Sequence, residues 1–145
     1  MLSSTIDCGC SFTNLHTDPC LIVIFGASGD LTARKLIPAL YRLFSQGSLP
    51  ENFVIVGCSR TRMNDAEFCA HLEKHLSSQE FGTKKSWQEF AAHLRYVQLL
   101  YDSPKSFADL ATSLKAFDEE FRTGWNRIFY LATPPSLYGA IATGL

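Results

Sequence analysis

Excess positive charge is missing from this chain: 13 Lys and Arg stand against 14 Asp and Glu, giving a net charge of -1. Nucleic acid and anionic lipid are gripped by a concentrated cationic surplus, so neither is an expected partner, and any phosphate binding must be local. Long apolar runs are missing too. The longest, residues 21–25 followed by Gly26 and Ala27, falls far short of the roughly 20 residues needed to cross a bilayer. Residues 1–20 hold no Lys or Arg but do hold Asp7 and Asp18, which argues against a secretory signal and against an acid-poor transit peptide. The 5 cysteines, Cys8, Cys10, Cys20, Cys58 and Cys69, are odd in number and scattered, unlike the framework of a small secreted domain. Reduced thiols in a cytoplasmic protein with no membrane attachment are the expectation. Cys8, Cys10, His16 and Cys20 are poorly spaced for zinc, and no metal is expected.

What is present is a substantial core. With 145 residues, 46% of them hydrophobic, one domain can bury roughly 68–70% of its unfolded surface. Residues 1–18 are rich in Ser, Thr and Cys, carry no periodicity and run into Pro19, the pattern of a flexible leader. From 19 to 145 short apolar runs alternate with helix-like stretches. Strands are predicted at 20–25, 53–57, 95–100 and 127–132. Helices are predicted at 31–44, 64–77, 87–93, 104–122 and from 137 to the last residue. Pro38 should kink the first helix or mark the start of its straight part, with Gly47 and Pro50 closing it. Asn64, with Glu67 three residues on, should cap the second. Asp118, Glu119 and Glu120 are expected on a solvated face, and Trp87 and Trp125 as packing anchors. The alternation indicates an α/β fold: a Rossmann-like, doubly wound parallel sheet of about four strands, incomplete, with its last helix unfinished.

The chemistry is concentrated where the first strand hands over to a helix. Gly26, Ala27, Ser28, Gly29, Asp30 and Leu31 form a Gly-x-x-Gly turn at the position where such sheets bind a dinucleotide. Gly26 allows a sharp exit from the strand, and Gly29 lets the backbone approach a pyrophosphate that meets free N–H groups at the helix start. Ser28 adds a hydroxyl donor, and Asp30 is placed to cap the helix. The bland alternative is a tight turn that needs glycine for geometry alone. A nucleoside triphosphatase loop fits worse, because Arg34 and Lys35 are followed by Leu36 and no hydroxyl is left for magnesium.

The end of the second strand chooses the dinucleotide. A ribose 2′-hydroxyl calls for Asp or Glu there, and a 2′-phosphate calls for a cation. The residues present are Gly57, Cys58, Ser59, Arg60, Thr61 and Arg62, with no carboxylate before Asp65. Arg60 can fork two donors onto a phosphate and stack on adenine, so NADP is favoured.

The turn from Ile24 to Thr32 continues into Arg34-Lys35-Leu36-Ile37-Pro38 and is followed by Leu49-Pro50-Glu51-Asn52. Ile55-Val56-Gly57 then precedes Ser59-Arg60-Thr61-Arg62. Tyr96-Val97 precedes Tyr101-Asp102, and the fourth strand runs Phe129-Tyr130-Leu131-Ala132-Thr133-Pro134-Pro135 before Tyr138. In this order, from Pro19 onward, these residues resemble the amino-terminal coenzyme domain of the glucose-6-phosphate dehydrogenase family. The resemblance implies a cofactor set of Gly26, Ala27, Ser28, Gly29, Asp30, Leu31, Thr32, Ala33, Arg60 and Tyr138. It places Lys35 toward the sugar phosphate and Thr133 beside the nicotinamide, where the family more often carries a bulkier apolar residue. It further implies oxidation of the C1 hydroxyl of glucose 6-phosphate to a lactone, with hydride passing to NADP, in an enzyme that is a homo-oligomer at full length.

A histidine base suits that reaction near neutral pH. The family's base, its orienting aspartate and its Glu-Lys-Pro segment fall beyond the fourth strand, so no catalytic residue is assigned. These 145 residues alone are not expected to turn over. His16, His71, His75 and His93 are expected at surface or boundary positions. The other class of function is a non-catalytic nucleotide-binding interaction module, or a decayed gene product.

Overall fold

The computed structural model describes residues 17–145. The expected leader up to His16, with the Cys8, Cys10 and His16 metal candidates, lies outside the described residues. Four strands, β1 (Cys20–Phe25), β2 (Phe53–Ser59), β3 (Leu94–Gln98) and β4 (Arg127–Leu131), form one parallel sheet in the order β3-β2-β1-β4. The helices are α1 (Ile37–Ser45), α2 (Asp65–Glu73), α3 (Ser78–Phe81), α4 (Lys84–Ala91), α5 (Pro104–Phe121) and α6 (Tyr138–Gly144). No described helix is long and apolar enough to cross a membrane.

β1 reads as one unbroken apolar run because both its faces are covered, and side chains alternate between them with period two. Leu21, Val23 and Phe25 pack with Phe107, Leu110 and Leu114 of α5 and Ile141 of α6. Cys20 and Ile24 pack on the opposite side with Tyr41, Phe68, Trp87 and Phe90. In β2, a Cβ on Gly57 would lie 2.5 Å from Cζ of Phe68 and 2.8 Å from Cβ of Ala27. Its hydrogen lets α2 and the turn after β1 press onto the sheet. The chain adds β2 and β3 on one side of β1 and then crosses to place β4 on the other. The carboxyl ends of β1 and β4 therefore flank the switch point at which doubly wound sheets bind ligands.

Several local expectations are refined. The helix after β1 begins at Asp30 and passes into a π-turn at Thr32–Leu36, where the Ile37 N–H reaches Thr32 O, and α1 starts at Ile37 with Pro38 in its first turn. A proline cannot donate and its ring crowds the carbonyl four residues back, so the wider turn takes up the misfit ahead of the straight part. Gly47, at φ +68°, ends α1 in a Schellman motif: its N–H bonds Phe44 O and that of Ser48 bonds Leu43 O. Asn64 and Glu67 form the expected reciprocal cap on α2. That helix stops at Glu73, because Ser77 and Glu80 make a second capping box that starts α3.

Two expectations are overturned. Trp125 is 56% exposed with φ +62° in the turn before β4, so it anchors no core, whereas Trp87 is buried among Tyr41, Phe81 and Phe90. Asp118 is not on a solvated face. It is buried at the end of α5, accepting hydrogen bonds from the Thr123 hydroxyl and the Arg127 guanidinium. β4 is an edge strand that leaves Ile128, Phe129 and Tyr130 exposed.

Candidate coenzyme site

Gly26 has φ +82°, and a Cβ there would sit 2.6 Å from the carbonyl oxygen of Ala132 at the end of β4. Glycine is thus demanded at position 26 by the chain itself. Position 29 differs: its φ is not left-handed, and the nearest obstacle to a Cβ is Gly26 O at 3.3 Å. The fold comes close to accepting a side chain at 29, so the open space there is what a ligand's approach requires.

The turn is pinned from below and open above. The amides of Gly26 and Ala27 both donate to Cys58 O of β2, and Gly29 N–H donates to Gly26 O. Thr32 sends its hydroxyl to Gly26 O at 3.2 Å. Among the described residues, the Ser28 and Asp30 amides find no acceptor, and they lie at the start of a helix, where anions are stabilised.

Arg60 follows the last residue of β2, Ser59. It lines, with Gly26, Ser28 and Gly29, one cavity of about 260 Å³ that is also walled by Thr61, Tyr101 and Thr133. Among the described residues, Arg60 is the only charged one on that wall, and no carboxylate lines it. The Thr61 and Ser28 hydroxyls, 3.5 Å apart, bring the two loops together. A larger groove of about 600 Å³ between α5 and α6 contains neither the glycine turn nor Arg60 and offers no cation, so it is not the phosphate site.

Only part of the expected residue set reaches the cavity. Ala27 and Ala33 are fully buried in the core, and Thr32 is buried beneath the turn. Leu31 is exposed. Asp30 makes no capping hydrogen bond, because the helix already begins at Asp30 itself. Its carboxylate instead lies 3.7 Å from Arg34 at the surface. Lys35 is exposed on the π-turn and Tyr138 is 42% exposed at the start of α6, and neither lines the cavity. His71, His75 and His93 are half-buried and away from it; the His93 ring stacks on Phe53 at 4.1 Å.

Tyr101, which enters the sequence reading only through the family resemblance, also lines the cavity. Burial raises its phenol above the ordinary value, with the Gly26 backbone and the Arg60 charge pulling the other way. At neutral pH it stays protonated, a phenol donor on the cavity wall. It follows β3 by a few residues, where the sequence shows only a turn. Thr133 carries a sharper signal. It is 9% exposed, lines the cavity, and its Oγ1 has no hydrogen-bond partner among the described residues. A buried hydroxyl left unpaired costs free energy that a ligand can restore.

A strand-order reversal, a glycine turn with free amides and a lone cation at the neighbouring strand end define a dinucleotide-binding domain of the doubly wound class. The family model described as "Glucose-6-phosphate dehydrogenase, NAD binding domain" matches residues 23–145. The chain belongs to the glucose-6-phosphate dehydrogenase family. It is 41% identical over 127 residues to a glucose-6-phosphate 1-dehydrogenase of Aggregatibacter actinomycetemcomitans, covering 88% of this chain and 26% of that protein. It is 43% identical over 130 residues to the enzyme of that name from Treponema pallidum, covering 88% of this chain and 25% of that one. A solved glucose-6-phosphate dehydrogenase in complex with its substrate glucose-6-phosphate superposes with TM-score 0.79 at 28% identity, over 90% of this chain and 27% of the other. The chain thus spans about a quarter of the length of the relatives it matches. The free amides, the open position at Gly29 and the unpaired Thr133 hydroxyl fit a nicotinamide dinucleotide.

Proposed function

We propose that the chain is the NADP-binding portion of a glucose-6-phosphate 1-dehydrogenase, which oxidises the C1 hydroxyl of glucose 6-phosphate to a lactone. The observation that carries this reading is Arg60 on the same cavity wall as Gly26, Ser28 and Gly29, with no carboxylate there to receive a ribose hydroxyl. The coenzyme, when bound, supplies the acceptor for the hydride.

The residues of this chain bind and orient. The Ser28 and Asp30 amides meet the pyrophosphate, and the helix beginning at Asp30 adds its positive end. Arg60 offers a planar fork to the 2′-phosphate, a geometry Lys cannot reproduce. Thr133, at the β4 end of the cavity, borders the nicotinamide. Family resemblance further assigns Lys35 to the sugar phosphate and Tyr138 to the coenzyme. We set the domain at residues 19–145, because Asn126 already donates to Pro19 O and the Cys20 amide to Asn52 O.

The test is ligand-induced thermal stabilisation of the full gene product, with NADP and NAD compared in wild type and Arg60→Ala. A ligand present at about 100 times its Kd stabilises the folded state by about 2.7 kcal/mol. NADP should protect wild type at lower concentration than NAD, and Arg60→Ala should remove that advantage while the NAD response persists. Equal protection by both coenzymes in wild type would overturn the reading.

A further inference from the structure

Arg60 is exposed, and among the described residues none of its side-chain atoms has a hydrogen-bond partner. A long cation held only by its backbone can meet a phosphate at modest entropic cost only when that backbone is fixed. Here it is fixed on both sides, from β3.

The Thr61 N–H donates to Ser59 Oγ at 3.2 Å. Ser59 Oγ and Tyr96 Oη are 2.6 Å apart, and the Tyr96 hydroxyl donates onward to Thr61 O at 2.5 Å. With Ser59 as the donor to Tyr96, every proton in this set has a place. The ring closes on the residue where it began, and each bond polarises the next. Ser59 and Tyr96 are buried. Burial also raises the Tyr96 phenol above its ordinary value, so the phenol stays a donor. The remaining carbonyl, that of Arg60 itself, accepts from Gln98 Nε2 at 3.0 Å.

We propose that Tyr96 and Gln98 are positioning residues for coenzyme selectivity, clamping the 59–61 backbone so that Arg60 is presented to the 2′-phosphate. This rests on the NADP reading above. Neither residue lines the cavity, so any effect on coenzyme choice must pass through the loop.

The experiment is a titration of the full gene product with NADP and with NAD, reading Kd for Tyr96→Phe, Gln98→Leu, Arg60→Ala and the Tyr96→Phe/Arg60→Ala double variant. Loss of one net hydrogen bond predicts NADP binding weaker by about fivefold in each clamp variant, with NAD unchanged. In the Arg60→Ala background, Tyr96→Phe should have no further effect, the signature of coupling through one group. Gln98 is exposed, so Gln98→Leu keeps the test available even where Tyr96→Phe folds poorly. Equal weakening of both coenzymes, or the same NADP loss with and without Arg60, would mean that the clamp is merely structural. If Arg60→Ala weakens NADP and neither clamp variant does, this inference alone falls. If Arg60→Ala leaves NADP binding intact, the NADP reading falls with it.

Discussion

The carboxylate of Asp118, 1% exposed, accepts two hydrogen bonds from the Arg127 guanidinium, from Nε at 2.8 Å and from Nη2 at 2.6 Å. This pair ties the end of α5 to the first residue of β4, the strand whose far end carries Ala132 and Thr133 to the cavity. Arg127→Met leaves the carboxylate buried with only the Thr123 hydroxyl as partner, and should cost about 3–5 kcal/mol in urea unfolding. Converting Asp118 to Leu in the same protein should recover a large share, because a well-packed apolar pair replaces a stranded charge. A single-variant loss below about 1 kcal/mol would place the pair with ordinary surface bridges instead.

The two glycines of the turn should separate in their effects. Gly26→Ala forces a left-handed backbone on alanine and drives its Cβ against Ala132 O, so it should lower stability by about 1–3 kcal/mol before any ligand is added. Gly29→Ala, with its Cβ 3.3 Å from Gly26 O, should melt close to wild type yet lose most coenzyme binding. Paired melting and binding curves check both. Intact binding in Gly29→Ala would remove the argument that position 29 is kept open for a pyrophosphate.

Thr133→Val exchanges an unpaired buried hydroxyl for a methyl of the same shape. The ligand-free protein should gain about 1 kcal/mol, since an unsatisfied group is removed without opening a cavity. Coenzyme affinity should fall at the same time. A variant that binds as wild type does would show that the hydroxyl is not reserved for ligand.

Alkaline pH should destabilise the fold through its thiols and phenols. Burial pushes Cys58 from its ordinary 9.0 up to about 12. It raises Cys20 and Cys69 as well, and also Tyr96 and Tyr101. The unfolded chain releases these protons first. The stability they contribute is therefore complete below pH 9.0 and for Cys58 is lost progressively up to about pH 12. Each such group contributes a slope of up to about 1.4 kcal/mol per pH unit inside its window. Cys58→Ala should flatten the fall measured by urea unfolding between pH 8 and 11, and an unchanged slope would contradict the assignment.

Much of the architecture was legible because it is written in local signals. β1 and β2 announce themselves as continuous apolar runs, and Asn64 with Glu67 caps α2 through contacts three residues apart. The site was half legible. Gly26 and Arg60 were visible as strand-end chemistry, whereas Ala27, inside the turn, and Thr32 and Ala33, just after it, face the core or lie beneath it. Asp118 was misread because a run of acidic residues looks solvated until its partners, in the next turn and strand, are known. Trp125 failed for the opposite reason, since size alone does not say whether a neighbouring element will cover a ring.

By itself, then, the sequence determined the strand–helix alternation, the glycine exit from β1 and the absence of a carboxylate near Arg60, because each depends on residues close along the chain. Tertiary structure alone decided that β4 returns beside β1, that Arg60 and the turn share one wall, and that Tyr96 and Gln98 hold the loop between them. Those relationships join residues far apart along the chain, and they come into being only when the sheet assembles and its two faces are buried.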